Sequence, residues 1–327
     1  MGELLSRRRQ ETAKRTEDLR ELLRAAGKLC GRRACVYATG SYGRGESSRH
    51  SDLDLFILGR GTRKKPRLSR LNEILVKADL IRATQRLRLP KFSGDGQYLV
   101  GHTVAELVGT LGKPEDDVKN TFTARLLLLL ESCPLLGEPV YHEATDEVIR
   151  AYWGDFQDHK RNFMPAFLAN DILRMWRTFC VNYEARTQRE PEAERVKRKV
   201  KNYKLKHSRL LTCYSALFYL LAVFAKKKTV SPTDAAKMIS LSPTQRLEWL
   251  LEQPELARAH AKVRQLIDLY EKFLAITDVP NEELLRLFGN RGKSKIYLQS
   301  AYCFGNLVAE TLEIVGQKSL FYRLLVV

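Results

Sequence analysis

The chain has 327 residues, with 56 Lys and Arg against 38 Asp and Glu, for a formal net charge of +18. At 44% hydrophobic it is too apolar for a disordered tail and too long to depend on disulfide staples, and the length suits two domains. The excess positive charge speaks to partners rather than fold, and favours nucleic acid, nucleotides or an anionic membrane face.

In chain order, residues 2–28 read as a charged amphipathic helix whose apolar side carries Leu4, Leu5, Leu19, Leu22 and Leu23. Cys35–Thr39 reads as a short strand ending at Gly40-Ser41. Tyr42–Ser51 is a loop rich in Gly, Ser and Arg, and Leu53–Leu58 is a second strand with Asp52 at its mouth. Gly59 to Pro66 is a basic loop, Leu68–Leu87 has helical periodicity, Phe92–Gly96 is turn-like, and Gln97–His102 is a third strand. From Val104 onward the pattern is helical, cut by prolines from Pro114 to Pro280.

The expected fold class is α+β, a small mixed sheet with flanking helices followed by an all-α bundle, in domains 1–115 and 116–327. That boundary is soft, and a helix at Thr121–Glu131 fits either part. The apolar run Leu210–Ala225 is shorter than the roughly 20 residues that span a bilayer. It also holds Thr212, Tyr214 and Ser215, so a buried bundle helix and no membrane partner are expected. Six scattered cysteines, without Cys-x-x-Cys or zinc spacing, read as reduced thiols. Met1–Arg9 has no secretory pattern, and together these point to the cytoplasm.

Chemistry concentrates in Gly40-Ser41-Tyr42-Gly43-Arg44-Gly45 and Ser51-Asp52-Leu53-Asp54-Leu55. A Gly-Ser turn lets backbone N–H groups approach a phosphate closely. Arg44 in the same loop has the fork geometry to pair with phosphate oxygens, and a helix starting near Gly45–Ser48 would point its dipole at the same anion. Asp52 and Asp54, two residues apart, share one face of a strand. Two such carboxylates with no neighbouring Lys are costly unless cations sit between them, and Mg²⁺ completes its shell with phosphate oxygens. The arrangement suits in-line attack on the α-phosphate of a nucleoside triphosphate.

Gly-Ser, ten residues, then Asp-x-Asp resembles the DNA-polymerase-β-like nucleotidyltransferase superfamily. The wording Gly-Ser-Tyr-Gly-Arg-Gly-Glu…Ser-Asp-Leu-Asp-Leu is most similar to the uridylyltransferases that modify nitrogen-regulatory PII signal proteins. The resemblance implies a nucleotidyltransferase domain in which Gly40 and Ser41 hold the triphosphate and Asp52 and Asp54 bind Mg²⁺, with Mn²⁺ a substitute. It also implies a third carboxylate that completes the metal site and assists deprotonation of the acceptor. Asp95, just before the third strand, is the candidate, with an Asp-Gly turn as its structural alternative and Glu106 as runner-up. The uridylyltransferases also carry a His-Asp phosphohydrolase domain, for which this chain has no His followed directly by Asp.

In the helical half, Asp171 and Arg174 share a helix face. They either face a nucleotide cleft or form a helical salt bridge. Arg195 to Arg209 is dense in cations, and Lys197, Lys201 and Lys204 fall on one face. Lys201 and Lys204 are candidates for the β,γ-phosphates or for a polyanionic acceptor, against the plainer reading of a solvated face. A second basic stretch runs from Arg60 to Lys91. The charge makes RNA, such as a transfer-RNA end, the first expected acceptor. The alternatives are a protein (uridylylation or AMPylation), a small molecule, cyclic-oligonucleotide synthesis, and a non-catalytic nucleotide- or RNA-binding module.

Overall fold

A computed structural model describes residues 2–62, 64–92, 99–185, 191–317 and 319–326. They form two compact units, Leu5–Gly154 and Asp155–Val327, the second including the first four residues of the chain. The fold is α+β, with the strands in the first unit and helices making up the second.

In the first unit, α1 (Glu3–Leu22) and α2 (Arg24–Cys30) lead into β1 (Ala34–Thr39), whose six residues are all buried. A single helical turn, α3 (Gly40–Gly43), and a loop connect it to β2 (Asp54–Gly59). The small hairpin β3 (Gly61–Thr62) and β4 (Lys65–Pro66) precedes α4 (Arg70–Arg86), which Ser69 caps through its side chain. Then follow β5 (Gly101–Thr103), α5 (Val104–Gly109), α6 (Glu115–Val118), α7 (Thr121–Leu130), β6 (Cys133–Leu136) and α8 (Glu138–Tyr152).

The four-stranded sheet has the order β5-β2-β1-β6; β1 pairs antiparallel with both β2 and β6, and β2 pairs parallel with β5. Ala34, Val36, Ala38, Leu55 and Ile57 pack with α1, α2 and α4. On the opposite face Tyr37 stacks on Phe56 at 5.4 Å, and its hydroxyl donates to the Ala124 carbonyl of α7 at 3.0 Å. With both faces covered, β1 reads as a continuous apolar run rather than an alternating one.

The structure differs from the sequence pattern at several points. The N-terminal helix breaks at Leu23 (φ −98°, ψ 14°), giving α1 and α2. Residues 44–53 form turns and loop, so the helix expected near Gly45–Ser48, and its dipole, are replaced by irregular backbone. Of the third strand, Gly101 and His102 lie in β5, while Gln97 and Tyr98 lie outside the described residues. Strand β6 was not foreseen because Pro134 interrupts it; as an edge strand it tolerates a residue with no N–H. Because α7, β6 and α8 pack with the sheet, the first unit runs to Gly154, beyond the soft boundary at 115.

A buried ion pair ties these later helices together. Arg125 donates to both carboxylate oxygens of Asp116, to the Leu107 carbonyl at 2.8 Å and to the Tyr152 hydroxyl at 3.1 Å. Thr110 and Thr121 donate to the same carboxylate. Asp116→Ala would leave Arg125 charged and buried, so urea unfolding should show a loss of about 3–5 kcal/mol.

The second unit holds α9 (Ala166–Ala185), α10 (Glu192–Lys204), a π-helical turn (Leu205–Arg209) and α11 (Leu210–Lys227). It continues through α12 (Pro232–Ser240), α13 (Pro243–Leu251), α14 (Ala257–Ile276), α15 (Asn281–Gly289), α16 (Arg291–Gly316) and α17 (Leu320–Val326). The stretch Glu194–Lys227 is long and apolar enough to cross a membrane, but 83% of its apolar window is buried inside the fold, and α11 is the centre of that core.

In the π-helical turn, His207 is fully buried. Its ring stacks on Phe273 at 4.7 Å, its Nδ1 lies 2.9 Å from the Tyr203 carbonyl, and burial pushes its pKa down to about 4. The unfolded chain therefore binds a proton that the fold refuses between about pH 6.5 and 4. Stability should fall as pH drops through that window, by up to about 1.4 kcal/mol per pH unit relative to His207→Phe, measured by denaturant unfolding of both proteins.

Candidate active site

The site grows from the end of β1. The β1–β2 register sets Thr39 opposite Asp54, so the chain turns at Gly40 directly over the Asp54 side chain. Gly40 has φ +64°, and a Cβ at this position would lie 2.8 Å from Asp54 Oδ2. Both the left-handed backbone and the close approach require glycine. Asp54 is half-buried at the start of β2 and Asp52 is exposed just before it, with Leu53 between them in the core.

Tyr42 links the turn to the acids. Its phenol is pushed up chiefly by burial, with the Asp52 carboxylate adding to the shift and Arg15 opposing it. The turn, Tyr42 and the Asp52–Asp54 segment thus form one locale. Ser41 is the second residue of the helical turn, where the first backbone N–H groups have no partner within a helix.

Arg44 does not face this locale as expected. Its guanidinium is buried, with Nε 2.8 Å from Glu46 Oε2 and Nη1 2.8 Å from Glu131 Oε2. Glu131 also accepts from the Gly40 N–H at 3.2 Å. The helical turn directs Arg44 into the interior, where two carboxylates compensate its charge, so its guanidinium is engaged inside the protein. Nor is the Gly40 N–H held open for phosphate: it is directed at Glu131.

Glu131 went unnoticed in the sequence, yet a signal was present. It is a lone acid directly after Leu126–Leu130, where a charge is costly without a partner. Its backbone matters too: a Cβ on Gly43 would sit 2.0 Å from the Glu131 carbonyl oxygen.

The rest of the loop is held by α1. Arg15 Nη1 donates to the Ser47 carbonyl at 2.7 Å, and the Thr12 hydroxyl accepts from the Ser47 N–H at 2.9 Å. Of the remaining expected residues, Asp95 lies outside the described residues. Glu106, the runner-up, caps α5: its carboxylate accepts from the Thr103 N–H and hydroxyl, both at 3.0 Å.

Among the described residues, three or more His, Cys, Asp or Glu do not gather around one metal-sized position. The two carboxylates that do lie beside the turn are hard oxygen donors. Such a pair fits Mg²⁺, which takes one or two protein carboxylates and fills its shell with water and substrate phosphates.

Residues 19–92, from the end of α1 through β1, the turn, β2 and α4, match the family model described as "Nucleotidyltransferase domain". This segment is a nucleotidyltransferase domain. The match agrees with the resemblance to the DNA-polymerase-β-like superfamily, and it makes the protein a transferase of phosphorus-containing groups with a nucleoside triphosphate as substrate. No curated protein and no solved structure matched the chain.

In the second unit, Asp171 and Arg174 pair at 3.6 Å and line an open groove of about 510 Å³ along α9, with Phe167, Asn170 and Arg177. Of the two readings of that pair, the helical salt bridge is present. Lys201 and Lys204 are exposed on α10. Lys206 sits 4.0 Å over the ring of Tyr302, an exposed aromatic of α16 that only the tertiary structure brings near the basic run.

Glu131→Gln keeps the shape but removes the charge facing Arg44. It should cost about 1.5–3 kcal/mol in thermal unfolding and raise the nucleotide KM, because the turn loses its pin.

Proposed function

We propose that the protein is a cytoplasmic, Mg²⁺-dependent nucleotidyltransferase that moves a nucleoside monophosphate from its triphosphate to a hydroxyl of RNA. The observation that carries this reading is the approach of Gly40 to the Asp54 carboxylate. It supports the reading because the Gly-Ser turn and Asp54 then lie side by side, as binding one substrate between them would need.

Ser41, with the N–H groups of its turn, holds the triphosphate, while Gly40 lets the turn close down beside Asp54. Asp52 and Asp54 hold Mg²⁺. When bound, the metal supplies Lewis acidity at the α-phosphate and neutralises the developing charge. Asp95 is the proposed third acid and takes the acceptor proton. The acceptor oxygen bonds to the α-phosphorus, the α–β phosphoanhydride bond breaks, and pyrophosphate leaves.

RNA as acceptor is supported by the +18 charge and by the exposed Lys201 and Lys204 on α10. Tyr302 beside Lys206 adds the pairing of ring and cation that single-stranded bases stack on. Arg174, in the α9 groove, and Lys201 and Lys204 are proposed to contact nucleotide or acceptor phosphates.

The test is incubation with each α-labelled nucleoside triphosphate, Mg²⁺ and total RNA or lysate. Label is expected in RNA, to fall at least about a hundredfold with Asp54→Asn, and to decline steeply as salt rises. Label in a protein band would replace RNA with a protein acceptor. No label from any nucleotide, with Mg²⁺ or Mn²⁺, would leave a binding module.

A further inference from the structure

Helix α4 is apolar on two opposite sides. Val76, Leu80 and Ala83 are buried in the core of the first unit. On the reverse side Leu71, Ile74, Leu75 and Ile81 are 74%, 52%, 50% and 41% exposed. A helix that is apolar all round is ordinarily buried all round. The outer residues are ordered as well as apolar. Leu71, Ile74, Ala78 and Ile81 follow the alternating three- and four-residue spacing of a coiled-coil seam.

The residues beside that seam select the partner. Arg70 and Lys77 flank one side, and Leu75 and Arg82 the other. The acids of the helix stand farther from the seam: Glu73 pairs with Lys77 at 2.6 Å, and Asp79 with Arg82 at 3.2 Å. Pairing with a second copy would oppose like charges in either direction. An antiparallel pair sets Arg70 against Lys77, and a parallel pair sets Lys77 against Arg82. RNA gains nothing from aliphatic side chains, because bases stack on aromatic rings. An anionic membrane surface fits less well, since α4 carries no aromatic residue to sit at the lipid interface.

We infer that the outer face of α4 is the docking site for an amphipathic helix of another protein, one with an aliphatic seam flanked by Asp and Glu. The site stands on a different surface and different residues from the nucleotide-binding turn, and it does not depend on the acceptor being RNA.

The test uses the full chain and two synthetic three-heptad peptides. Both carry Ile and Leu on the seam; one has Glu at every flanking position and the other has Lys. Fluorescence anisotropy should show binding of the Glu peptide alone. Ile74→Asp should weaken it at least tenfold. A double variant, Arg70→Glu with Arg82→Glu, should lose the Glu peptide and gain the Lys peptide, a gain that a misfolded protein could not show. Equal binding of both peptides, binding of neither, or indifference to Ile74→Asp overturns the inference. So does a wild-type dimer in size-exclusion chromatography that Ile74→Asp dissociates, which would assign the face to self-association. Cosedimentation with phosphatidylserine vesicles or retention of RNA, either abolished by Ile74→Asp, overturns it in favour of a lipid or nucleic-acid surface.

Discussion

The Gly-Ser turn at the end of β1 depends on one buried charge, the Glu131 carboxylate. Glycine-rich loops lose more conformational freedom on ordering than other segments, and Gly40-Ser-Tyr-Gly-Arg-Gly45 has three glycines in six residues. Glu131 offsets that loss by gripping the turn at both ends, through the Gly40 N–H and the Arg44 guanidinium. Glu46 supplies the second carboxylate that makes a buried Arg44 tolerable. The pairing is expensive to disrupt one partner at a time, because each deletion strands a charge away from water. The loop beyond the turn is held from α1, through Thr12 and Arg15 on Ser47, so the platform opposite Asp54 is set from two sides.

Positive charge in this protein does more than one job, although composition presents it as a single excess. Arg44, Arg125 and Arg246 are buried and structural; Arg246 donates to the Met238 carbonyl at 2.9 Å. The arginines and lysine along α4 border an apolar seam, which changes the meaning of the basic stretch from Arg60 to Lys91. Read linearly it suggests a polyanion groove; on the helix its cations alternate with aliphatic residues facing the same way. Lys201 and Lys204 of α10 stand exposed as well, on a helix that carries no such aliphatic seam in water.

Much of the site was legible because it is local. Gly-Ser follows directly on β1 and Asp-x-Asp leads into β2, and the antiparallel pairing of those two consecutive strands brings them together without help from distant residues. The helices at α4, α7 and α11 were equally readable, since caps, periodicity and apolar runs are encoded within each segment. Strand β6 and Glu131 were not, because both depend on contacts far along the chain. A proline inside an edge strand looks like a breaker until its neighbour is known. Glu131 looks like the polar end of a leucine helix until Gly40 and Arg44 are placed beside it.

By itself the amino-acid sequence determined the Gly-Ser turn, the acidic pair beside it and the α+β class, since each follows from spacing and residue chemistry over a few tens of residues. Tertiary structure alone decided which charges act and which support: it buried Arg44 between two carboxylates, enlisted Glu131 as the pin of the turn, and left the aliphatic face of α4 in water. The reason is that burial is a property of the assembled chain. Whether an arginine meets a phosphate or a carboxylate, and whether a leucine meets the core or the solvent, depends on what the rest of the chain brings alongside it.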